Sequence, residues 1–221
     1  MLFDLRSRGR RRTVQVVYLG LALLMGGGLV LFGVGTGNGN GGLLNAFTGG
    51  GSSGAQKQAL SSQEKAALKQ TRLSPTDPNA WAALVLARWD NAGTGSNYDS
   101  ATNNFTAGGK KELANTVSDW QHYLTLTKSP SSTLAIIAAR AYGSLGNYSG
   151  EAGAWEIQSA ANPTVAHGYE CLAASAYAAG QTREGDLALN KALTLVPKLS
   201  RTQLKSEIEA AKTTPSIAAS C

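Results

Sequence analysis

Four of the chain's six prolines stand at Pro75, Pro130, Pro163 and Pro197, at intervals of 55, 33 and 34 residues. Gly146 and Gly180 are also 34 apart. A recurrence near 34 predicts a helix-turn-helix unit repeated along the chain, because each unit buries its apolar face only by stacking on a neighbour. Beyond residue 60 Ala dominates, and no Asn-Gly pair lies between alternating apolar runs, so strand signals are missing.

Within each interval the residue types recur as well. The unit ending at Pro197 carries Tyr169, Leu172, Ala173, Gly180, Gly185, Leu189 and Ala192, with Tyr177 one place later than the pattern asks, at Ala176. The unit ending at Pro163 carries Ala139, Tyr142, Gly146, Tyr148 and Trp155. It has Ala135 and Ala138 where larger residues are expected, and Glu151 and Gln158 where small ones are. The first unit opens with Pro75 before Trp81, Leu84 and Val85 and ends LTLTKSP at Pro130. These residues resemble the tetratricopeptide repeat family over roughly 75–197. Small residues at such positions let two helices approach closely, and large ones fill the gaps between pairs. The resulting expectation is an all-α, TPR-like helix-turn-helix solenoid over 60–213, with repeats 75–130, 131–163 and 164–197.

The resemblance implies that ligands lie along the face built from the first helix of each repeat. Carried onto this chain, that face comprises Asn79, Ala82, Leu86, Trp89 and Asp90, then Thr133, Ile136, Arg140, Gly143 and Ser144. Its third part is His167, Glu170, Ala174, Tyr177 and Ala178. The set mixes aromatic, aliphatic and a few charged groups. It lacks the Lys/Asn/Arg arrangement with which chaperone-binding relatives hold a C-terminal carboxylate. An extended or helical protein segment with apolar side chains is the expected ligand.

Helix-end signals agree with the repeat. Asp77-Pro78 and Asn162-Pro163 read as an N-cap followed by a first-turn Pro. Ser61-x-x-Glu64 and Ser200-x-x-Gln203 read as capping boxes. They predict a helix over about 61–73 and a final capping helix over 200–212, with Leu204, Ile208 and Ala211 on one face. Residues 214–221 are expected to be a flexible tail.

The first interval exceeds the period by 21 residues, and the surplus lies between the helix with Trp81 and Trp89 and the helix with Trp120, where the chain reads DNAGTGSNYDSATNNFTAGG over 90–109. Loops of this length are either functional or partly ordered insertions. Tyr98 and Phe105 are the residues able to fold back onto the helices or to meet a ligand. Asp90 and Asp99 lack the spacing of a calcium loop.

The N-terminal quarter is different. Of 26 Gly, fifteen lie in the first 54 residues. The formal charge is +6, but residues 1–12 alone carry +4 through Arg6, Arg8, Arg10, Arg11 and Arg12 against Asp4. From Thr13 to Gly35 there is no charge. About 20 apolar residues suffice for a membrane-spanning helix, and a basic flank before it predicts a cytoplasmic N-terminus. The competing reading is a cleaved secretory signal. Against it stand the length of the run and the GTGNGNGG that follows in place of a small-x-small cleavage site. The expected order is a basic cytoplasmic head (1–12), a transmembrane helix (13–35) and a Gly-rich linker (36–59). Within the linker, Gly37 to Gly42 matches G-x-G-x-x-G, but the motif needs a strand before it and a helix after it, and here the expected membrane span precedes and more glycine follows.

No catalytic grouping stands out, and the chain is read as not an enzyme. His122 and His167 are far apart and outside metal-ligand spacings, so no metal and no cofactor is expected. Lys110-Lys111 lacks the rest of a P-loop. The body beyond residue 12 carries only +2, which argues against nucleic acid as a partner. Cys171 and Cys221 are the only thiols; either they pair in an oxidising exterior or Cys171 is a buried small hydrophobe. The expected function is a single-pass protein of the bacterial inner membrane. Its extracytoplasmic TPR domain would bind protein or peptide segments as a scaffold, in secretion or envelope assembly. The alternative is a homo-oligomer that organises the membrane surface with no separate client.

Overall fold

The computed structural model describes residues 53–221, with side chains from Ser62 onward. The basic head, the 13–35 stretch and most of the 36–59 linker lie outside the described residues. The chain divides into Met1–Gln56 and Lys57–Cys221, and the second unit holds nearly all that is described. Among the described residues no helix is long and apolar enough to cross a membrane.

The described residues are mostly helical. Their elements run α1 (Ser53–Leu73), α2 (Pro78–Ala92), β1 (Tyr98–Asp99), β2 (Asn104–Phe105), α3 (Ala107–Leu126), α4 (Ser132–Ser144) and α5 (Tyr148–Ala161). They continue through α6 (Ala166–Ala178), α7 (Thr182–Leu195) and α8 (Arg201–Glu209) to short 3₁₀ turns at Ala210–Lys212 and Pro215–Ser220. Contacts are strongest between α2 and α3, α4 and α5, α5 and α6, and α6 and α7. The bounds of α4 and α6 are 34 residues apart at both ends, and so are those of α5 and α7.

The joint within each of these two pairs is the same. Gly146 and Gly180 take φ of +73° and +75°, a conformation that costs any other residue a Cβ clash. Asn147 N donates to Tyr142 O and Gly146 N to Gly143 O; Gln181 N donates to Ala176 O and Gly180 N to Tyr177 O. This two-bond pattern satisfies helix-end carbonyls and turns the chain back on itself. A second device follows. A β-carbon on Gly150 would lie 2.4 Å from the Tyr142 ring, and one on Gly185 would lie 2.5 Å from the Tyr177 ring. The late Tyr177 is thus matched by a late glycine, so the eight-residue spacing from Tyr to Gly is kept.

Caps set most of the remaining boundaries. Asp77 Oδ1 accepts from Asn79 N at 2.9 Å with Pro78 in the first turn, as expected. Ser131, after Pro130, accepts from Leu134 N and opens α4. Asn162 works the other way: its Nδ2 donates to Gln158 O at 3.1 Å and closes α5, and α6 starts at Ala166 without a side-chain cap. Ser61 lies inside α1, so the first capping box does not form. Ser200 stands at the N-cap of α8 but makes no capping bond. Residues 53–59, expected as linker, are already helical because AQKQAL is built of good helix formers.

The core is contiguous from Val85 and Trp120 through Trp155 and Leu172 to Ile208, Ala211 and Ala218. Trp120 and Trp155 are fully buried, whereas Trp81 and Trp89 are half-buried. The insertion between α2 and α3 is ordered. Its two strands pair antiparallel, with Tyr98 opposite Phe105, and both rings fold back: Tyr98 packs edge-on against Phe105, and Phe105 reaches Trp89. Thr106 N donates to Asn97 O at 2.9 Å, and a β-carbon on Gly109 would lie 2.1 Å from that same oxygen. The insertion therefore runs directly over the start of α3, and the glycine pair at its end permits the approach.

The expected flexible tail is a correction. Residues 215–220 form a 3₁₀ turn, Ala218 is fully buried, and Cys221 is disulfide-bonded to Cys171 with 5.7 Å between their α-carbons. Cys171 is fully buried and paired, so of its two readings the structure has the bridge and not an unpaired buried thiol.

Candidate functional site: a groove along the first helices of the pairs

The residues singled out for ligand binding fall into three groups. Asn79, Ala82 and Leu86 of α2 line a groove of about 410 Å³ together with Tyr123, Thr133 and Leu134. Leu86 is 40% exposed although aliphatic, and it forms part of the groove's apolar wall. Tyr123 is locked by its hydroxyl, which accepts from Ser131 N at 2.9 Å, so this wall is rigid. Ile136 is half-buried on the core, and Arg140 is exposed two turns from the start of α4.

Trp89 and Asp90 do not join that groove. Trp89 packs with Phe105, Leu113 and Ala92 under the insertion, and Asp90 is exposed beside it. The aromatic residues of the insertion, which no periodicity could place, are what draws Trp89 away.

The third group is split. His167 is exposed, 3.7 Å from Glu170 and edge-on to Trp155. Tyr177 and Ala174 are only 4% exposed. Seven consecutive residues of α6, Cys171–Tyr177, are buried, whereas one stripe of an outer helix normally faces water. The residue 34 before Ala174 is Arg140, which is exposed on α4. Besides α5, α7 and α8, the C-terminal segment adds to the cover on α6: both 3₁₀ turns after α8 contact it, and the last also contacts α4 and α5. Lys212 Nζ stands 4.1 Å from the Tyr177 ring centre and reaches Asp186, which accepts the Tyr177 hydroxyl at 2.6 Å. Burial and the Asp186 carboxylate both push the Tyr177 phenol up.

Two clusters of buried and half-buried polar side chains lie apart from the residues that line the groove. Arg88 on α2 stands 3.1 Å from Asp119 on α3 and 3.6 Å from Glu64 on α1, and Asn91 donates to Glu64 at 2.9 Å. Burial pushes Asp119 up to about 6, against the pull of Arg88. Burial likewise raises Glu64. The second cluster is Glu151 of α5, which is 1% exposed; burial pushes its carboxyl up to about 7. Ser175 and Trp155 face it and draw it partly back. Neither closes to hydrogen-bond geometry: Glu151 Oε2, Trp155 Nε1 and Ser175 Oγ are buried without a hydrogen-bond partner among the described residues. Gly143 makes room for this carboxylate, since a β-carbon there would lie 2.8 Å from Oε2. Sequence reasoning had no signal for either cluster beyond Glu151 standing where a small residue was expected.

Among the described residues no group of three or more His, Cys, Asp or Glu side chains is placed to hold a metal ion. Compared with protein-family models, with curated proteins and with solved structures, the chain gives no match.

Proposed function

We propose that the chain is a single-pass membrane protein whose TPR-like solenoid of about three repeats binds protein or peptide segments outside the bacterial cytoplasm, as a scaffold and not as an enzyme. The observation that carries this reading is the groove of about 410 Å³, where Asn79, Ala82, Leu86 and Thr133 meet. An apolar trough between successive helix pairs, with Ser and Thr at its rim, suits an extended segment that brings a few apolar side chains. The 34-residue repetition of helix bounds and of the Gly146 and Gly180 turns supports the repeat assignment. The Cys171–Cys221 bond supports an oxidising compartment. The arginine head and the uncharged 13–35 stretch support an anchor with its N-terminus inside.

The test is photo-crosslinking in intact cells. A photoreactive residue at Leu86 or Thr133 in the full chain is expected to give the same discrete protein adducts, absent when the probe is at exposed Leu187. Adducts of equal pattern at all three positions, or none at Leu86 and Thr133, overturn the groove. An adduct with the mass of a second copy of this chain establishes self-association in its place.

A further inference from the structure

We infer that the face of α4 and α6 is a continuation of the ligand groove already filled by the chain's own C-terminal segment, and that the Cys171–Cys221 disulfide is the latch that keeps it there. The inference rests on the peptide-binding reading for the identity of the groove. Its core is independent of that reading: a covalently held segment that leaves when the bond is reduced.

Four observations lead to it. The turn Pro215–Ser220 lies mainly on α6 and α4, the two helices that supply the ligand face of their pairs, and touches α5 at its margin. Ala174 and Tyr177, two positions of that face, are buried within Cys171–Tyr177 of α6, a helix that the last 3₁₀ turn contacts, as do α5, α7 and α8. The segment's grip is otherwise slight. Only Ala218 is fully buried and only Ile217 and Cys221 are half-buried, while Thr214, Pro215, Ser216, Ala219 and Ser220 are exposed. Its hydrogen bonds stay within itself or reach back to Ala210: Thr214 N to Ala210 O, Ile217 N to Thr214 O, Cys221 N to Ala218 O and Ser220 Oγ to Ile217 O. So little apolar burial does not offset the entropy of ordering such a segment. The covalent bond does.

The chemistry of release is ordinary thiol exchange. A thiolate of a dithiol reductant attacks Cys221 Sγ, the more exposed sulfur, and forms a mixed disulfide while Cys171 leaves as thiolate. The ring nitrogens of exposed His167 lie 3.7 and 3.8 Å from Cys171 Sγ, so a polar side chain stands beside the leaving sulfur, which takes its proton from solvent. The second thiolate of the reductant then attacks its own mixed-disulfide sulfur and frees Cys221. Two electrons and two protons pass to the chain, and the reductant ends as a disulfide. The uncovered strip, small residues flanked by Tyr177 and Ile136, fits a segment of the same kind as the one released: short, extended, with one branched aliphatic side chain among small residues.

The experiment uses the full chain in detergent, oxidised, reduced with dithiothreitol, and as Cys221→Ser. Alkylation of Cys171 with iodoacetamide and hydrogen exchange are read by mass spectrometry. In the reduced protein and in Cys221→Ser, Cys171 is expected to alkylate within about tenfold of an unfolded control peptide, as a locally opened site does. Exchange in 211–221 and along α6 should rise at least about tenfold while α5 and α7 keep their protection. Cys171 staying protected overturns the latch, because the segment is then held without the bond. Loss of protection in α5 and α7 also overturns it, because the segment is then part of the core. A photoreactive residue at half-buried Ala178 gives client adducts only after reduction if the strip belongs to the groove. Opening of Cys171 without adducts at Leu86 leaves the latch standing and removes the peptide-binding reading.

Discussion

The ring of Tyr177 occupies the space in which Gly185 would carry a β-carbon, and Tyr142 does the same at Gly150. Helix pairs are thereby locked at a distance that only glycine allows. Gly150→Ala and Gly185→Ala should each destabilise the fold by about 1–3 kcal/mol through overpacking against the ring. Gly153→Ala is the control, since nothing lies within 4 Å of its added carbon. It should stabilise by about 0.5–1 kcal/mol through helix propensity alone. Denaturant unfolding measures all three, and equal effects at the three sites would contradict the clasp.

Glu151 makes stability fall as pH rises. Its folded carboxyl keeps its proton up to about 7, while the unfolded chain releases it from about 4.5. Between those values the folded state binds more protons, so stability is highest below the window and lost through it. Asp119, raised to about 6, adds to the same trend. Glu151→Gln should remove the larger part, leaving the variant up to about 3 kcal/mol more stable than the parent at pH 8 and nearly equal at pH 4. Unfolding curves at the two pH values provide the comparison.

Among the described residues Arg88 is the cation that joins buried Asp119 to half-buried Glu64. Its side chain is 15% exposed and that of Asp119 is 9%. Arg88→Met strands Asp119 and Glu64 and should cost roughly 3–5 kcal/mol at pH 8. Adding Asp119→Asn should restore much of this, because the uncompensated charge is gone. A double-mutant cycle by chemical denaturation reads the coupling, and additive effects would show the pair to be inert.

Gly109→Ala should lift the insertion off α3. The new carbon would meet Asn97 O, which accepts the Thr106 N–H. Faster hydrogen exchange over 94–106, with loss of packing between Phe105 and Trp89, is the expected signature. Exchange unchanged there would mean that the insertion has room to yield.

The helix pairs were legible because their causes are local. Prolines at a fixed interval, glycines at the turns and Asp77 before Pro78 each act on their immediate neighbours. Tyr177 read as a departure only because the glycine that matches it had not been paired with it. The candidate groove was less legible. Asn79 and Leu86 stand together on its wall, as their spacing on one helix allows, but Trp89 is claimed by Phe105, sixteen residues on and outside any period. The coverage of α6 depends on a chain end fifty residues from Cys171 in sequence, and composition alone describes that end as a tail. Contacts of that range leave no periodic trace.

The bond between Cys171 and Cys221 also sets how the molecule carries force. Tension applied to the chain on either side of the closed ring crosses between Cys171 and Cys221 and bypasses the residues between them, so α7 and α8 bear no load. An oxidised molecule stretched between its ends should therefore fall short of its full contour by about 170 Å, at ~3.6 Å for each sequestered residue. Severing one bond returns that hidden length, and the C-terminal helices become part of the mechanical chain.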